Sequence, residues 1–450
     1  VAILLTATVS AQTFKVLHVF TNSPDGAQPS GGLLLTSNIL FGTTARGGTS
    51  DLGTLFHLNP DGTAYIKAFD FDGSIGKFPN GGLVENSRTL YGVALSGGSL
   101  NGGAIFSIGN LAIGFFASTA FVSFSTNDGI SPNGNLALSG GTLYGTMLGY
   151  VGSAAPPGGD NVYKFPLSGS GGIVTNLTGM NPNGGLAAAG TTLYGTTRSS
   201  AMLYRLDASN TNFTSLKPFA TADGSSLNGS LLLAGDTLYG TAKLGGASAQ
   251  GTLFTIKTNG TGFAVLKSFP PLVSNTNEDG AQPTGGLALG GDTLFGTTTL
   301  GGLWGNGVVF KIKTDGSGFS VLKHFSQKQM FGGVNTNSDG ISPNGNLILN
   351  TGTLYGTTSG GGPAGKGVVF RLVVVPEIQV DDGMLGVLTN KFGFTVTGVS
   401  NQMIYIEGAT NPASPTWTIV RSKVLTGAPY YFTDSLWTNY PYRFYRLRVP

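Results

Sequence analysis

Residues Leu287–Thr298 read LALGGDTLFGTT, and the string Leu-aromatic-Gly inside them returns along the chain. Copies begin at Leu40, Leu90, Leu143, Leu193, Leu238, Leu294 and Leu354. Their glycines lie 50, 53, 50, 45, 56 and 60 residues apart, a period that marks propeller blades or solenoid units. The surroundings of this copy show the whole unit. Upstream are Val265–Phe269 (VLKSF) and Asp279–Gly286 (DGAQPTGG); downstream is Gly307–Gly316 (GVVFKIKTDG). Four short apolar runs therefore alternate with turn residues. LALG is the first strand, TLFGTT the second, VVFKI the third and the next VLKHF the fourth. Asp61-Gly62, Asn259-Gly260 and Asp315-Gly316 supply tight turns between third and fourth strands.

Tandem four-stranded antiparallel units predict a β-propeller. First-to-third strand sets number seven, and so do fourth-type strands, but one of these, Phe14–Phe20 (FKVLHVF), precedes the first set. No fourth strand follows Val368–Leu372 (VVFRL). The expected fold is all-β: a seven-bladed β-propeller whose N-terminal strand completes the last blade. That closure protects the sheet edges. An open β-solenoid is the rival, and it has no use for the orphan strand.

The copies also compare with one another. The second-strand aromatic is Phe41, Tyr91, Tyr144, Tyr194, Tyr239, Phe295 or Tyr355. Phe and Tyr interchange, so the hydroxyl is dispensable and the ring is expected to pack between blades. Phe56, Phe106, Tyr163, Tyr204, Phe254, Phe310 and Phe370 behave alike on the third strand. Lys67, Lys217, Lys267 and Lys323 recur on the fourth strand, with His18 equivalent. They form either a basic ring for anions or lysines guarding an outer edge from aggregation. The edge role is the expectation.

Composition narrows the function. The 450 residues include 74 glycines and 21 prolines, only 10% are charged, and 40% are apolar. No Gly-X-Y period is present, which excludes collagen. The aromatic content excludes a disordered chain. A net charge of +3 without a basic cluster gives no nucleic-acid partner. Cysteine is absent, so disulfides, thiolate metal sites and cysteine nucleophiles are excluded. His18, His57 and His324 are the only histidines.

VAILLTATVSA, residues 1–11, is an apolar run ending in small residues at Val9 and Ala11. It reads as a signal-peptide remnant cut before Gln12, and it predicts export to the cell envelope or beyond. It is too short to span a bilayer, and no later apolar run is long enough, so the mature chain is expected to lack a membrane span.

The DG-x-x-P-x-GG, LYGTT and G-x-GG…G-x-VF elements resemble the GloVer tandem repeats of secreted bacterial proteins. The resemblance covers roughly residues 14 to 372. Repeat four departs from it, lacking the Asp-Gly in its TGMNPNG loop. It implies export and a repeat β-fold, and brings no activity or catalytic residues.

The organisation expected is a propeller over 12–375 and a small C-terminal β-sandwich over 376–450. The second segment lacks LYGTT and alternates in runs such as FGFTVTGV and MIYIEGA. Its ending, Tyr445–Pro450 (YRLRVP), is similar to that of terminal modules of secreted bacterial proteins. Trp417, Trp437, Tyr430 and Tyr440 are either stacking faces for glycan or the core of this small domain, and core is the expectation.

In such a blade the fourth–first and second–third loops share one face, and here both are long and glycine-rich. Ligand contact is expected there. Asp25, Asp128, Asp223, Asp279 and Asp339 each stand five residues before a polar residue: Ser30, Asn133, Asn228, Thr284 and Asn344. Asn80 and Asn183 complete seven positions that ring the mouth of the central channel. They are a collar for a ligand or cation, or turn caps following the Asp-Gly. Irregular loops on the same face carry Tyr150, Trp304 and Phe331, which either stack on sugar rings or pack on their own loops.

No cofactor is expected. Asn335-x-Asn337-x-Asp339-Gly340 and Asn275-x-Asn277-x-Asp279-Gly280 match half a calcium loop, but Asn346 and Gly286 stand where the bidentate Glu belongs. Of 16 carboxylates between Gln12 and Val375, eight directly precede glycine, and no pair is singled out for hydrolysis. The function expected is a monomeric exported binding or scaffold protein that contacts extracellular polysaccharide or a surface protein. The alternative is a carbohydrate-active enzyme, a polysaccharide lyase or glycosidase, using the irregular loops.

Overall fold

The computed structural model describes residues 13–450 apart from 30, 110–116, 126–127, 129, 149–159, 178–179, 210, 380–383, 389–390, 412–415 and 441–442. Residues 1–11, read above as a signal-peptide remnant, therefore lie outside the described residues, as do Ser30 and Tyr150. The regular structure of the described chain is antiparallel β-strand apart from one short 3-10 turn, Trp437–Asn439, and no helix is long and apolar enough to cross a membrane.

Each repeat makes one meander. The first pairs Leu34–Thr36, Ile39–Thr44, Thr54–Leu58 and Ile66–Asp70 in that order. Five further sheets have the same order. They begin with Lys77–Asn86, Ile130–Ser139, Pro182–Ala189, Leu232–Ala234 and Ala288–Gly290. In the seventh, Thr353–Gly360 pairs with Val368–Val373, whose other edge takes Phe14–Val19. The orphan strand thus sits in the fourth place of the last sheet. The sheets follow one another in a propeller-like arrangement.

The recurrent glycine of the second strand has a steric cause. It lies opposite the third-strand aromatic, as Gly42 does opposite Phe56. A Cβ on Gly42 would meet Phe56 Cζ at 2.5 Å, and one on Gly296 would meet Phe310 Cζ at 2.5 Å. The ring occupies the space over its cross-strand glycine and packs against the sheet before it, as Phe106 does on Phe41 and Leu55 and Phe56 on Tyr355 and Val369. Tyr163 and Tyr204 replace Phe in two copies and leave buried hydroxyls without partners, so the position selects for the ring alone.

The core lies between successive sheets. Phe41 and Leu55 cluster with Leu83, Leu90, Phe106 and Ile108 of the next. Leu17, Phe20, Tyr355 and Val369 of the seventh sheet cluster with Leu33, Leu40, Phe56 and Leu58 of the first. All seven second-strand aromatics are buried, so they pack between sheets as expected. Each buried large apolar side chain contributes about 2 kcal/mol.

Backbone contacts repeat the same cycle. Gln28 N–H donates to Lys366 O, Phe78 to Leu52, Ser131 to Gly102, Gln282 to Gln250 and Ser342 to Asn306. Each joins one sheet to the second–third loop of the sheet before it. The following proline packs on that loop: Cβ atoms on Gly53, Gly103, Gly251, Gly307 and Gly367 would meet Pro79, Pro132, Pro283, Pro343 and Pro29. Repeat four closes its second–third connection with the short Arg198–Ala201 turn, which has no such glycine. The next repeat correspondingly carries Leu227 where the others have proline.

The last segment forms two small sheets. One joins Glu377–Gln379, Lys391–Thr397, Gly386–Leu388 and Tyr430–Asp434; the other joins Thr418–Val424, Met403–Ala409 and Phe444–Arg448. They share one apolar cluster containing Phe392, Phe394, Ile404, Ile406, Phe432 and Tyr445. Gln402 Nε2 donates to Val374 O at 2.5 Å and crosses the flat surface of Gly352, while Val399 and Gly427 rest on Gly290 and Gly291. These glycines are first–second turns, so the segment docks at the strand ends opposite the long loops.

Candidate functional site

The fourth-strand lysines do not guard a free edge. Each is paired with a carboxylate of the long loop that follows it, except that Lys67 takes one at the end of its own strand. The contacts are Lys67–Asp70 at 2.5 Å, Lys217–Asp223 at 2.7 Å, Lys267–Asp279 at 2.5 Å and Lys323–Asp339 at 2.5 Å. His18 Nε2 meets Asp25 Oδ2 at 3.0 Å in the seventh sheet. The cations also lie over rings of the next sheet. Lys217 is 4.6 Å from Phe263, Lys267 is 4.2 Å from Phe319, and Lys323 is 4.7 Å from Phe14. His18 stacks on Tyr65 at 3.6 Å. The recurrent cation and the recurrent aspartate are thus one device, which ties the loop face to the sheets. The sequence displays both partners, but their pairing spans loops of differing length.

These pairs set a pH dependence. Burial pushes the Asp223 carboxyl up, but the Lys217 hydrogen bond, the Ala220 N–H and the Lys217 charge outweigh it and leave it below the usual 3.8. Asp70 is held low in the same sense by Lys67 and Thr49. Burial lowers His18 from 6.5, with Asp25 opposing only in part. A lowered carboxylate stabilises the fold above its unfolded pKa and loses that contribution as pH falls through the folded value. A lowered histidine also costs stability on acidification, because the unfolded chain takes the proton first. The melting temperature is therefore expected to fall below pH 6.5 and again, more steeply, below about pH 4. A profile flat from pH 7 to 3 in thermal melts contradicts these pairings.

The half-matched calcium loops are bonded internally. Asn337 Oδ1 accepts from Gly340 and Gly362, and its Nδ2 donates to Ser326 O and Gly340 O. Asn277 does the same with Gly280 and Pro270. Among the described residues, no three His, Cys, Asp or Glu side chains converge as a metal site.

The predicted polar positions do converge. Asn80, Asn133, Asn183, Asn228, Thr284 and Asn344 line one depression of about 440 Å³ on the side of the long loops. Beneath them runs a circuit of glycines. A Cβ on Gly31 would meet Gly81 O at 2.0 Å, one on Gly81 would meet Gly134 O, and one on Gly134 would meet Gly184 O. The circuit continues through Gly229, Gly285 and Gly345 and returns to Gly31. Only glycine lets the backbones approach this closely.

One residue further along, three side chains fill the centre. Asn135 Oδ1 accepts from Gly82 N–H, and its Nδ2 reaches Ser230 Oγ at 3.0 Å. Ser230 Oγ accepts from Gly185 N–H, and Asn346 Oδ1 accepts from Gly286 N–H at 2.7 Å. Asn135 and Ser230 belong to sheets three and five, so their contact passes over Gly185 of sheet four. The depression is therefore a bowl with a polar floor.

Its wall has two unlike parts. Asn80 Nδ2 donates to Asn133 at 2.8 Å, Asn133 to Asn183 at 2.5 Å, and Asn183 to Asn228 at 2.7 Å. Gly81, Gly134 and Gly184 adopt φ of +89°, +75° and +79° beside these amides. In sheets six and seven Thr284 Oγ1 and Asn344 Oδ1 have no partner. Lys243 and Thr299 also line the bowl, and Lys243 is its only charged residue among those described.

The other candidate residues lie apart from this bowl. Trp304 is 47% exposed on the second–third loop of sheet six, which starts from Thr299 in the bowl wall. Phe331 pairs with Val334 in a hairpin, Gln329–Phe331 with Val334–Thr336, between sheets six and seven. Of the C-terminal aromatics, Trp417 is covered by Arg446 at 4.4 Å, Tyr440 by Arg443 at 4.1 Å and Tyr430 by Lys423 at 5.2 Å. Trp437 packs on the apolar cluster. Arg446 and Arg448 both hold Glu407, at 2.8 and 2.7 Å. The final YRLR string thus alternates core residues with an ion-paired rim.

The fold and the bowl define a propeller-like repeat protein with a polar depression on its loop face whose described lining holds no carboxylate. The Gloeobacter/Verrucomicrobia repeat matches residues 3–202 and 162–334, and the chain belongs to that repeat family. Solved structures resemble it in fold. Virginiamycin B lyase from Staphylococcus aureus has a TM-score of 0.51 at 12% identity, covering 80% of this chain and 100% of its own. An oligogalacturonate lyase in complex with manganese gives 0.53 at 12%, covering 81% and 96%. The extracellular domain of a one-component system from B. thetaiotaomicron gives 0.51 at 13%, covering 87% of this chain and 45% of that one. No curated protein matches the chain.

Proposed function

We propose that residues 12–375 close as a seven-bladed propeller, that 376–450 form a β-sandwich, and that the protein is exported and binds extracellular glycan through the bowl. The glycine circuit that returns to Gly31, and the first sheet packed on the seventh, support the closed ring. Two small sheets sharing one core support the sandwich. The repeat family and the extracellular domain of like fold support export. The bowl carries the functional reading. It offers amide and hydroxyl groups that match the donors and acceptors of sugar hydroxyls, and the described lining contains no carboxylate to act as acid or base. A surface protein presenting such a chain is the corresponding partner.

The test is retention on a polysaccharide panel, with assay of new reducing or unsaturated ends. Retention without new ends is expected, weakened about tenfold by Asn133→Ala, which breaks the amide chain and removes bowl hydrogen bonds. Failure of every polysaccharide to retain the protein removes the glycan reading. Asp160 is the carboxylate that ends the irregular loop of repeat three, where its Oδ2 accepts from Asn181 N–H at 2.8 Å. New ends that disappear in Asp160→Asn convert the proposal to the enzyme reading.

A further inference from the structure

We propose that the bowl binds the anionic group of an acidic saccharide, carboxylated or sulfated, in the sector formed by Lys243, Thr284 and Asn344. This rests on the glycan reading above and adds the charge and the orientation of the ligand. Three observations meet in that sector. First, the wall formed by Asn80, Asn133, Asn183 and Asn228 links its amides to one another, one N–H and one oxygen per link. Thr284 Oγ1 and Asn344 Oδ1 are instead buried in the wall without a partner, and such groups call for hydrogen bonds that a seated ligand can supply. Second, the one charged residue among the described lining is the half-buried Lys243. The recurrent fourth-strand lysines are paired with aspartates, whereas Lys243 forms no ion pair among the described residues. A lysine in such a setting attracts an anion and repels a cation from the amide oxygens around it.

Third, no described carboxylate lines the bowl to compete with an incoming anion. Sheets five, six and seven therefore provide the charge and the unpaired buried groups. Sheets two, three and four provide a self-satisfied wall.

The experiment measures binding of the full chain to polygalacturonate, carboxyl-reduced polygalacturonate, dextran sulfate and plain dextran, at low and high salt. Binding of an acidic polymer is expected to weaken about tenfold or more on carboxyl reduction, or on loss of sulfate, and in Lys243→Gln, since a charge-assisted hydrogen bond is lost. Binding to polygalacturonate alone assigns a carboxylate ligand; binding to dextran sulfate alone assigns a sulfated one. Salt is expected to weaken the native protein more than Lys243→Gln. Asn344→Leu is expected to weaken binding with the salt dependence kept. Equal binding of charged and neutral polymers, with Lys243→Gln unchanged, overturns the proposal and leaves the glycan reading standing. Binding to none of the four, while another neutral glycan in the panel is retained, also overturns it. No retention on any glycan overturns both. The polymer comparison uses the unaltered protein, so it decides the matter even if a variant folds poorly.

Discussion

Deleting Phe14–Phe20 is expected to abolish cooperative folding of the repeat region. This segment supplies the fourth strand of the last sheet, and its loss exposes the whole edge of Val368–Val373. An exposed apolar edge pairs with other chains, so the truncated protein should aggregate. The loss extends to the packing between sheets. Phe20 is fully buried, 5.1 Å from the Phe56 ring of the first sheet, and Leu17 lies in the same cluster. Phe14 stacks on Phe370 at 5.4 Å and lies under the Lys323 ammonium. The segment thus touches sheets one, six and seven at once. The single change Phe20→Ala is expected to cost about 3–5 kcal/mol, the range for emptying a buried aromatic site. Denaturant titration gives the loss, and size-exclusion chromatography gives the state of the truncated chain. A truncated monomer that melts at the native temperature contradicts the closing role.

Gly134→Ala is expected to destabilise by about 3 kcal/mol, combining the left-handed backbone penalty with overpacking. Gly134 has φ +75°, and its Cβ would lie 2.3 Å from Gly184 O and 2.4 Å from Gly184 C. The obstacle is backbone, which cannot turn aside as a side chain can. Moving it would shift the next link of the circuit and, with it, the Asn133 and Asn183 amides of the bowl. Two controls separate the causes. Gly140 has φ +55° and open space around it, so Gly140→Ala carries the backbone penalty alone, about 1 kcal/mol. Gly169 has ordinary φ and open space, so Gly169→Ala should be neutral or slightly stabilising through the unfolded chain. Equal midpoints for Gly134→Ala and Gly169→Ala contradict the close approach.

The bowl was partly legible in the sequence. Five of the seven polar positions are marked by their spacing from Asp-Gly, and Asn80 and Asn183 by their place at the start of the innermost strand. Lys243 was not. It occupies a position held by Ala45, Leu95, Leu148, Arg198, Thr299 and Ser359 in the other repeats, so no periodic signal marks it. Asn135, Ser230 and Asn346 were missed for a related reason. The other four repeats carry glycine at that place, and the three side chains matter because each covers a neighbouring glycine across the centre. The lysines were assigned to a free edge because their aspartate partners lie across loops whose course local pattern does not dictate.

The sequence by itself determined the number of repeats, the four-strand order within each and the strand left over at the beginning. These features rest on alternation and turn chemistry, which act between residues close along the chain. The tertiary fold decides which cations are paired, which glycines bear a neighbouring backbone, where the C-terminal segment docks and which groups of the bowl stay unpaired. The ion pairs follow the course of the loop between lysine and aspartate, which local pattern does not dictate. The glycine circuit joins residues about fifty positions apart, where a few tenths of an ångström separate a tolerated Cβ from an impossible one.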